Sequence, residues 1–283
     1  MELSLLDTSP VLAEEKDTHA LANTIALAKT ADRLGFKRYW FSEHHELNGI
    51  ASASPAVMIA AIGSQTTQIR LGAGAVLLPL HTPYRVAETY RQLATLYPGR
   101  IDLGIGRAQG APAEVAIALT GNFLEKVRLH PERLDELLRY LNSTTMRPTP
   151  ALLPEVWLLG TGKRSAQAAA ERGLPFAFGA FMSKLSPQDA VQLYHSQKIQ
   201  KGRTMITLSA MCIPLGWTEA DLKLPPLSTE GFPVPIIGTP EEVATQLRQH
   251  VNAGRADELM LHLPSPVYEA RDYTVRSLAH ALL

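Results

Sequence analysis

Cysteine is nearly absent: Cys212 is the only one among 283 residues. A single thiol excludes an internal disulfide and any zinc site built on several thiolates. An excess of either charge is also missing. Lysine plus arginine number 27 and aspartate plus glutamate 27, so the formal net charge is zero. A surface that neutralises many phosphates needs a basic surplus, so nucleic acid is disfavoured as a partner. No apolar stretch approaches the ~20 residues needed to span a bilayer. The opening Met-Glu-Leu-Ser-Leu-Leu-Asp shows neither a basic n-region nor a small-residue cleavage site. The rest is ordinary: at 46% hydrophobic and 19% charged, the chain can bury a core and is not disordered. The expectation is a soluble cytoplasmic protein that does not engage a membrane.

Short apolar runs alternate with amphipathic stretches from end to end. Strands are predicted at 2–7, 37–42, 69–78, 100–105, 155–160, 175–179, 204–213 and 257–263. Helices are predicted at 18–34, 55–64, 83–96, 123–141, 163–172, 187–200, 240–251 and 268–283. Gly35 stands where a left-handed cap would end the first helix, and Pro55 opens the second. Strict alternation implies parallel strands joined by right-handed crossovers. Eight repeats point to an α/β chain closed into a (β/α)8 TIM barrel, although a doubly wound open sheet produces similar local patterns. Nothing resembles an interdomain linker, so 1–283 reads as one domain. Two stretches break the rhythm: 106–122, and 214–240 with its six prolines. Both follow strands, which puts them at the C-terminal face where the catalytic loops of a barrel sit.

The strongest chemical signal is the turn Gly160-Thr161-Gly162-Lys163-Arg164-Ser165 between a buried strand and a helix. Free N–H groups and partial positive charge at a helix start suit a phosphate, and Lys163, Arg164 and Ser165 add donors. The spacing is not that of a Walker A loop. Gly104-Ile105-Gly106-Arg107 ends another strand; its glycines miss the dinucleotide fingerprint by one residue but leave room for a flat ring, with Arg107 as a phosphate donor. Each of these segments also has a plain reading, as a tight turn or as a surface cation.

Glu43-His44-His45-Glu46 leaves the second strand. Adjacent strand histidines point to opposite faces, so a zinc site is disfavoured and none is expected. One of the two should face the pocket as a near-neutral imidazole able to move protons, and the other should be a hydrogen-bonded structural residue. Gly72-Ala73-Gly74-Ala75 keeps the third strand slim, for packing or for a planar cofactor. Cys212 lies between Met211 and Ile213 as inert core. No Gly-x-Ser-x-Gly elbow supports a serine hydrolase.

These segments together resemble the bacterial luciferase-like flavin monooxygenases. The resemblance is carried by YWFSEHH (39–45), IRLGAGAVLLP (69–79), YPGRIDLGIGRAQ (97–109), VWLLGTGKRSAQAAAERGLPFAFGA (156–180) and ADELM (256–260). It implies a barrel that holds FMN at its C-terminal mouth, commonly as a homodimer, with reduced flavin and oxygen used to oxygenate an organic substrate. It assigns His44 to acid–base chemistry, Arg107 and Gly160, Thr161, Gly162, Lys163, Arg164 and Ser165 to the phosphate, and Gly74-Ala75 to a cis peptide against the flavin. Luciferase carries a cysteine where this chain has Gly106, so light emission is not implied. The segment after the seventh strand, 214–240, is shorter than is common in the family, which bears on how well the site excludes water.

The leading expectation is an FMN-dependent monooxygenase supplied with reduced flavin by a separate reductase, since no NAD(P) fingerprint is present. Gly74, Ala75 and Gly106 would let the ring lie against backbone. The same fold serves the deazaflavin F420, whose hydride chemistry needs no oxygen. A non-catalytic flavin-binding protein and a phosphate-substrate barrel are the readings from other classes.

Overall fold

All eight predicted strands form, and they close on themselves. The computed structural model describes residues 1–197, 202–226 and 232–283. Strands β1 (Glu2–Asp7), β2 (Arg38–Phe41), β3 (Arg70–Leu77), β4 (Ile101–Gly106), β5 (Glu155–Gly160), β6 (Phe176–Gly179) and β7 (Thr204–Cys212) pair in parallel in chain order. The short β8 (Ile236–Gly238) sits outside this ring and pairs only with the end of β7. β9 (Glu258–His262) joins β7 to β1 and completes the eight-stranded parallel barrel.

Helices α1 (Asp17–Leu34), α2 (Pro55–Gly63) and α3 (Pro83–Leu96) follow the first three strands. Gly35 takes φ +84° and its N–H caps the carbonyls of Ala31 and Asp32, as the sequence predicts. The excursion after β4 is not irregular throughout: it contains α4 (Ala113–Thr120), which buries only Ala116 and so shows little amphipathic pattern to read. The single helix predicted at 123–141 is two, α5 (Phe123–Arg128) and α6 (His130–Leu141). Pro131 is the cause: it has no N–H to continue the ladder, and it opens α6 instead. Then come α7 (Lys163–Glu171), α8 (Pro187–Ser196), α9 (Pro240–Gly254) and α10 (Tyr268–Leu282). Of the helix predicted at 187–200, residues 198–200 lie outside the described residues, as do residues 227–231 of the proline-rich stretch after β7.

The barrel interior is layered. At the N-terminal end, Arg38 Nη1 donates to Asp102 and Glu155, both at 2.8 Å, and its Nε donates to Glu258 at 2.9 Å. Arg70 and Arg203 add ion pairs to Asp102 and Glu258. Above this charged plug, Leu6, Trp40, Trp157, Ala177, Met205 and Met260 from six strands meet in one apolar layer. A larger core of strand and helix side chains lies between the barrel and its helices. Cys212 is buried in that core, as expected. With one end plugged by ion pairs and the middle filled, only the C-terminal mouth is left for chemistry.

Candidate active site

Strand alternation carries Trp40, Ser42 and His44 along one face of the chain leaving β2, and Tyr39, Phe41 and Glu43 along the other. Glu43 is buried and accepts from the Leu77 N–H at 3.0 Å, and it pairs with His45 Nε2 at 2.9 Å and His81 Nε2 at 2.6 Å. Burial alone would raise its pKa, but these donors outweigh it and hold the carboxyl below its ordinary value. His45 is the structural histidine of the pair, its pKa raised chiefly by the hydrogen bond to Glu43.

His44 is free of that cluster. Its Nδ1 shares a hydrogen bond of 3.0 Å with Ser42 Oγ, and its backbone N–H donates to Ser52 O at 2.9 Å. Burial pushes its pKa down, partly offset by the Glu43 charge, so the ring is neutral at pH 7. Across β1, the last residue of β9 repeats the arrangement. His262 Nδ1 lies 2.8 Å from Ser209 Oγ on β7, and its ring stacks on Phe181 with centroids 4.6 Å apart. Its pKa falls to about 4, first through burial and then through Arg271, and a charge on His44 lowers it further. The mouth therefore holds two neutral, serine-held imidazoles. Sequence reasoning missed His262, because a lone histidine closing an apolar strand carries no local signal.

On the other side, the peptide Gly74–Ala75 is cis, as the resemblance implies. The β3–β4 register shifts between Ala73 and Val76. A Cβ on Gly106 would come 3.0 Å from Ala75 Cβ, so these residues form a close-set floor with almost no side chain. Arg107 follows directly, exposed and without an ion pair among the described residues. Beside β4, the end of β5 turns through Gly160-Thr161-Gly162 into α7. The Ser165 hydroxyl donates to Gly162 O at 2.7 Å, and a Cβ on Gly160 would fall 2.0 Å from Ser165 Oγ. In front of Gly162 the space is open. Lys163 and Arg164 are exposed and carry no ion pair among the described residues.

Sequence reasoning also missed His130, the first residue of α6. It is buried, its Nε2 has no hydrogen-bond partner, and burial followed by the Arg107 charge drives its pKa to about 4. Its ring N–H is used on the Gly106 backbone, so the neutral Nε2 is an acceptor without a partner, and the anion-binding groups at this edge are the arginine and lysine side chains. The free cations, the helix start and the slim floor fit a flavin-type cofactor with its phosphate at β4–β5. Among the described residues no cluster of three or more His, Cys, Asp or Glu could hold a metal ion. No helix among them is long and apolar enough to cross a membrane.

The sequence model of the luciferase-like monooxygenases matches residues 1–215. The chain belongs to the luciferase-like monooxygenase family. It is 38% identical to the luciferase-like monooxygenase of Escherichia coli (strain K12) over 217 residues, covering 74% of this chain and 64% of that one. The chain thus spans just under two thirds of that relative's length. It is 32% identical to the uncharacterised protein YvbT of Bacillus subtilis (strain 168), covering 95% and 93% of the two chains. The crystal structure of apo-MsnO8 superposes with a TM-score of 0.88 at 31% identity, covering 99% and 98%. More distant structures share the fold alone. One is the oxygenating constituent of 3,6-diketocamphane monooxygenase from Pseudomonas putida with FMN (TM-score 0.72, 17% identity, covering 100% and 99%). Another is an F420-dependent secondary alcohol dehydrogenase (TM-score 0.67, 15% identity, covering 98% of each chain).

Proposed function

We propose that this chain is an FMN-dependent monooxygenase that takes reduced flavin from a separate reductase and oxygenates a small organic substrate. The observation that carries the reading is the unpaired cationic edge: Arg107, Lys163 and Arg164 stand just past the ends of the adjacent strands β4 and β5, beside a helix start. Exposed cations without carboxylate partners keep their donors free and give an incoming anion a positive potential.

In this reading Arg107 and the 160–165 turn hold the phosphate, with Thr161 and Ser165 shaping the turn and the α7 N–H groups facing the anion. Gly74, Ala75 and Gly106 leave room for the ring to lie against backbone. Bound reduced flavin would supply the electrons that let dioxygen react with an organic molecule. His44 Nε2, opposite the serine-held Nδ1, accepts or returns a proton in the mouth. The whole chain acts as one barrel domain, as a homodimer in the cytoplasm.

The experiment is to load the protein anaerobically with reduced FMN, mix it rapidly with oxygenated buffer and follow the flavin spectrum. Reoxidation slower than that of free flavin, and accelerated in His44→Ala, supports the reading. Reoxidation at the free-flavin rate makes the protein a carrier, and tighter binding of F420 than of FMN moves it to deazaflavin chemistry.

A further inference from the structure

A cavity of about 420 Å³ opens beside the mouth, between the β6–α8 connection and residues 232–236. Phe181, Leu208, Phe232, Val234 and Ile236 make its walls mainly apolar. Of the polar groups that line it, Ser183 Oγ donates to Thr161 O, Ser186 Oγ accepts from the Asp189 N–H and Lys184 Nζ lies over the Phe232 ring, which leaves Ser209 and His250 facing the space. Ser209 and Phe181 face two ways. Both line the cavity, and both hold His262, one through the 2.8 Å hydrogen bond and the other by ring stacking. Val234 is 66% exposed and Phe232 36% exposed, apolar surface left at the rim without a cover among the described residues.

We propose that this cavity is the substrate subsite, and that it takes a largely apolar molecule carrying one hydroxyl or carbonyl oxygen, read by Ser209 and tuned by His262. The Ser209 hydroxyl has two settings. When it donates to His262 Nδ1, its lone pairs face the cavity and accept from a ligand hydroxyl. When Nδ1 carries the proton and donates to Ser209, the serine hydrogen is free for a ligand carbonyl. A neutral imidazole permits both, and His262 is held neutral by burial and by the nearby Arg271 charge. His262 Nε2 has no partner among the described residues, so the tautomer is not locked from the other side. Mainly apolar walls with a few polar groups make a typical small-molecule site. The assignment of this ligand as substrate rests on the flavin reading of the mouth; the binding itself does not.

The test uses the full chain without flavin and two probes, 2-naphthol and naphthalene, with affinity read from probe fluorescence. Both should bind, 2-naphthol more tightly. Ser209→Ala should weaken 2-naphthol by about three- to tenfold, one hydrogen bond's worth, and leave naphthalene unchanged. Val234→Trp, at an exposed position that does not endanger folding, should fill the cavity and abolish both. Binding that survives Val234→Trp, or equal losses for both probes in Ser209→Ala, overturns the proposal. Flavin binding measured on the same variants should be unaltered. If the probes bind as expected and FMN does not bind at all, the flavin reading fails while the cavity stands.

Discussion

Removing the carboxylate of Glu43 tests how the β2 exit aims His44. Three donors or donor-capable groups converge on this one buried group: the Leu77 N–H, His45 and His81. In Glu43→Ala the Leu77 N–H is left buried without an acceptor, which costs about 1–3 kcal/mol, and two hydrogen bonds to a charged group are lost at about 1.5 kcal/mol or more each. His45 and His81 are partly exposed and recover some of that from water. The net loss is about 3–5 kcal/mol, in line with breaking a buried ion pair. At about 2.1 cal/mol/K per residue, 283 residues unfold with about 0.6 kcal/mol/K, so the melting midpoint should fall by roughly 5–8 °C. Glu43→Gln should lose less, because neutral histidine tautomers can accept from the amide while its oxygen keeps the Leu77 N–H. Glu43 has a depressed folded pKa, so its contribution is complete above the ordinary glutamate value of 4.5 and is lost as the pH falls below it. That acid-side loss should be absent in Glu43→Gln. Because the Glu43 charge raises the His44 pKa, the His44 titration followed by NMR should move lower still in this variant. A Glu43→Ala protein within about 1 kcal/mol of wild type in urea unfolding would mean that Glu43 does not hold the β2 exit together.

Other outcomes follow from the same geometry. Arg38→Met strands Asp102 and Glu258 without their central cation and should lower the melting midpoint by roughly 5–8 °C, partly recovered when Asp102 is made apolar as well. His130 and His262 titrate near 4 in the folded chain against 6.5 unfolded, so the unfolded state binds more protons between these values. Stability should therefore drop as the pH is lowered from 6.5 to 4, by up to about 1.4 kcal/mol per pH unit for each histidine, and His262→Asn should reduce the slope in denaturant titrations. Gly160→Ala forces its Cβ onto Ser165 and should weaken FMN binding at least about tenfold, one factor of 1.4 kcal/mol, while Gly162→Ala meets open space and should leave the fold intact.

The parts of this barrel legible in the sequence were those with a periodic or local cause. Alternating apolar runs announce eight strands, and the Gly160–Ser165 turn and the Arg107 strand end stand on the adjacent strands β5 and β4 with their cations unpaired among the described residues. His44 and His45 separate into a mouth residue and a structural residue because neighbouring strand residues face opposite ways. What stayed hidden had no local cause. His262 matters through Ser209 on β7 and Phe181 after β6, contacts made only when the barrel closes. His130 reads as the interior of a helix until Pro131 splits it and turns the histidine towards Gly106 and Arg107. The α4 segment carries too few buried residues to show a period, and β8 is three residues long within a proline-rich stretch.

A flavin site anchored by an anion at the β4–β5 edge would favour FMN over riboflavin, which differs from it by the phosphate alone. Reduced FMN and reduced riboflavin are titrated anaerobically into wild type and Arg107→Ala. FMN should bind wild type far more tightly than riboflavin, and Arg107→Ala should remove most of that advantage without changing riboflavin affinity. Equal binding of FMN and riboflavin by wild type, or an Arg107→Ala protein that still prefers FMN by the full margin, would contradict it.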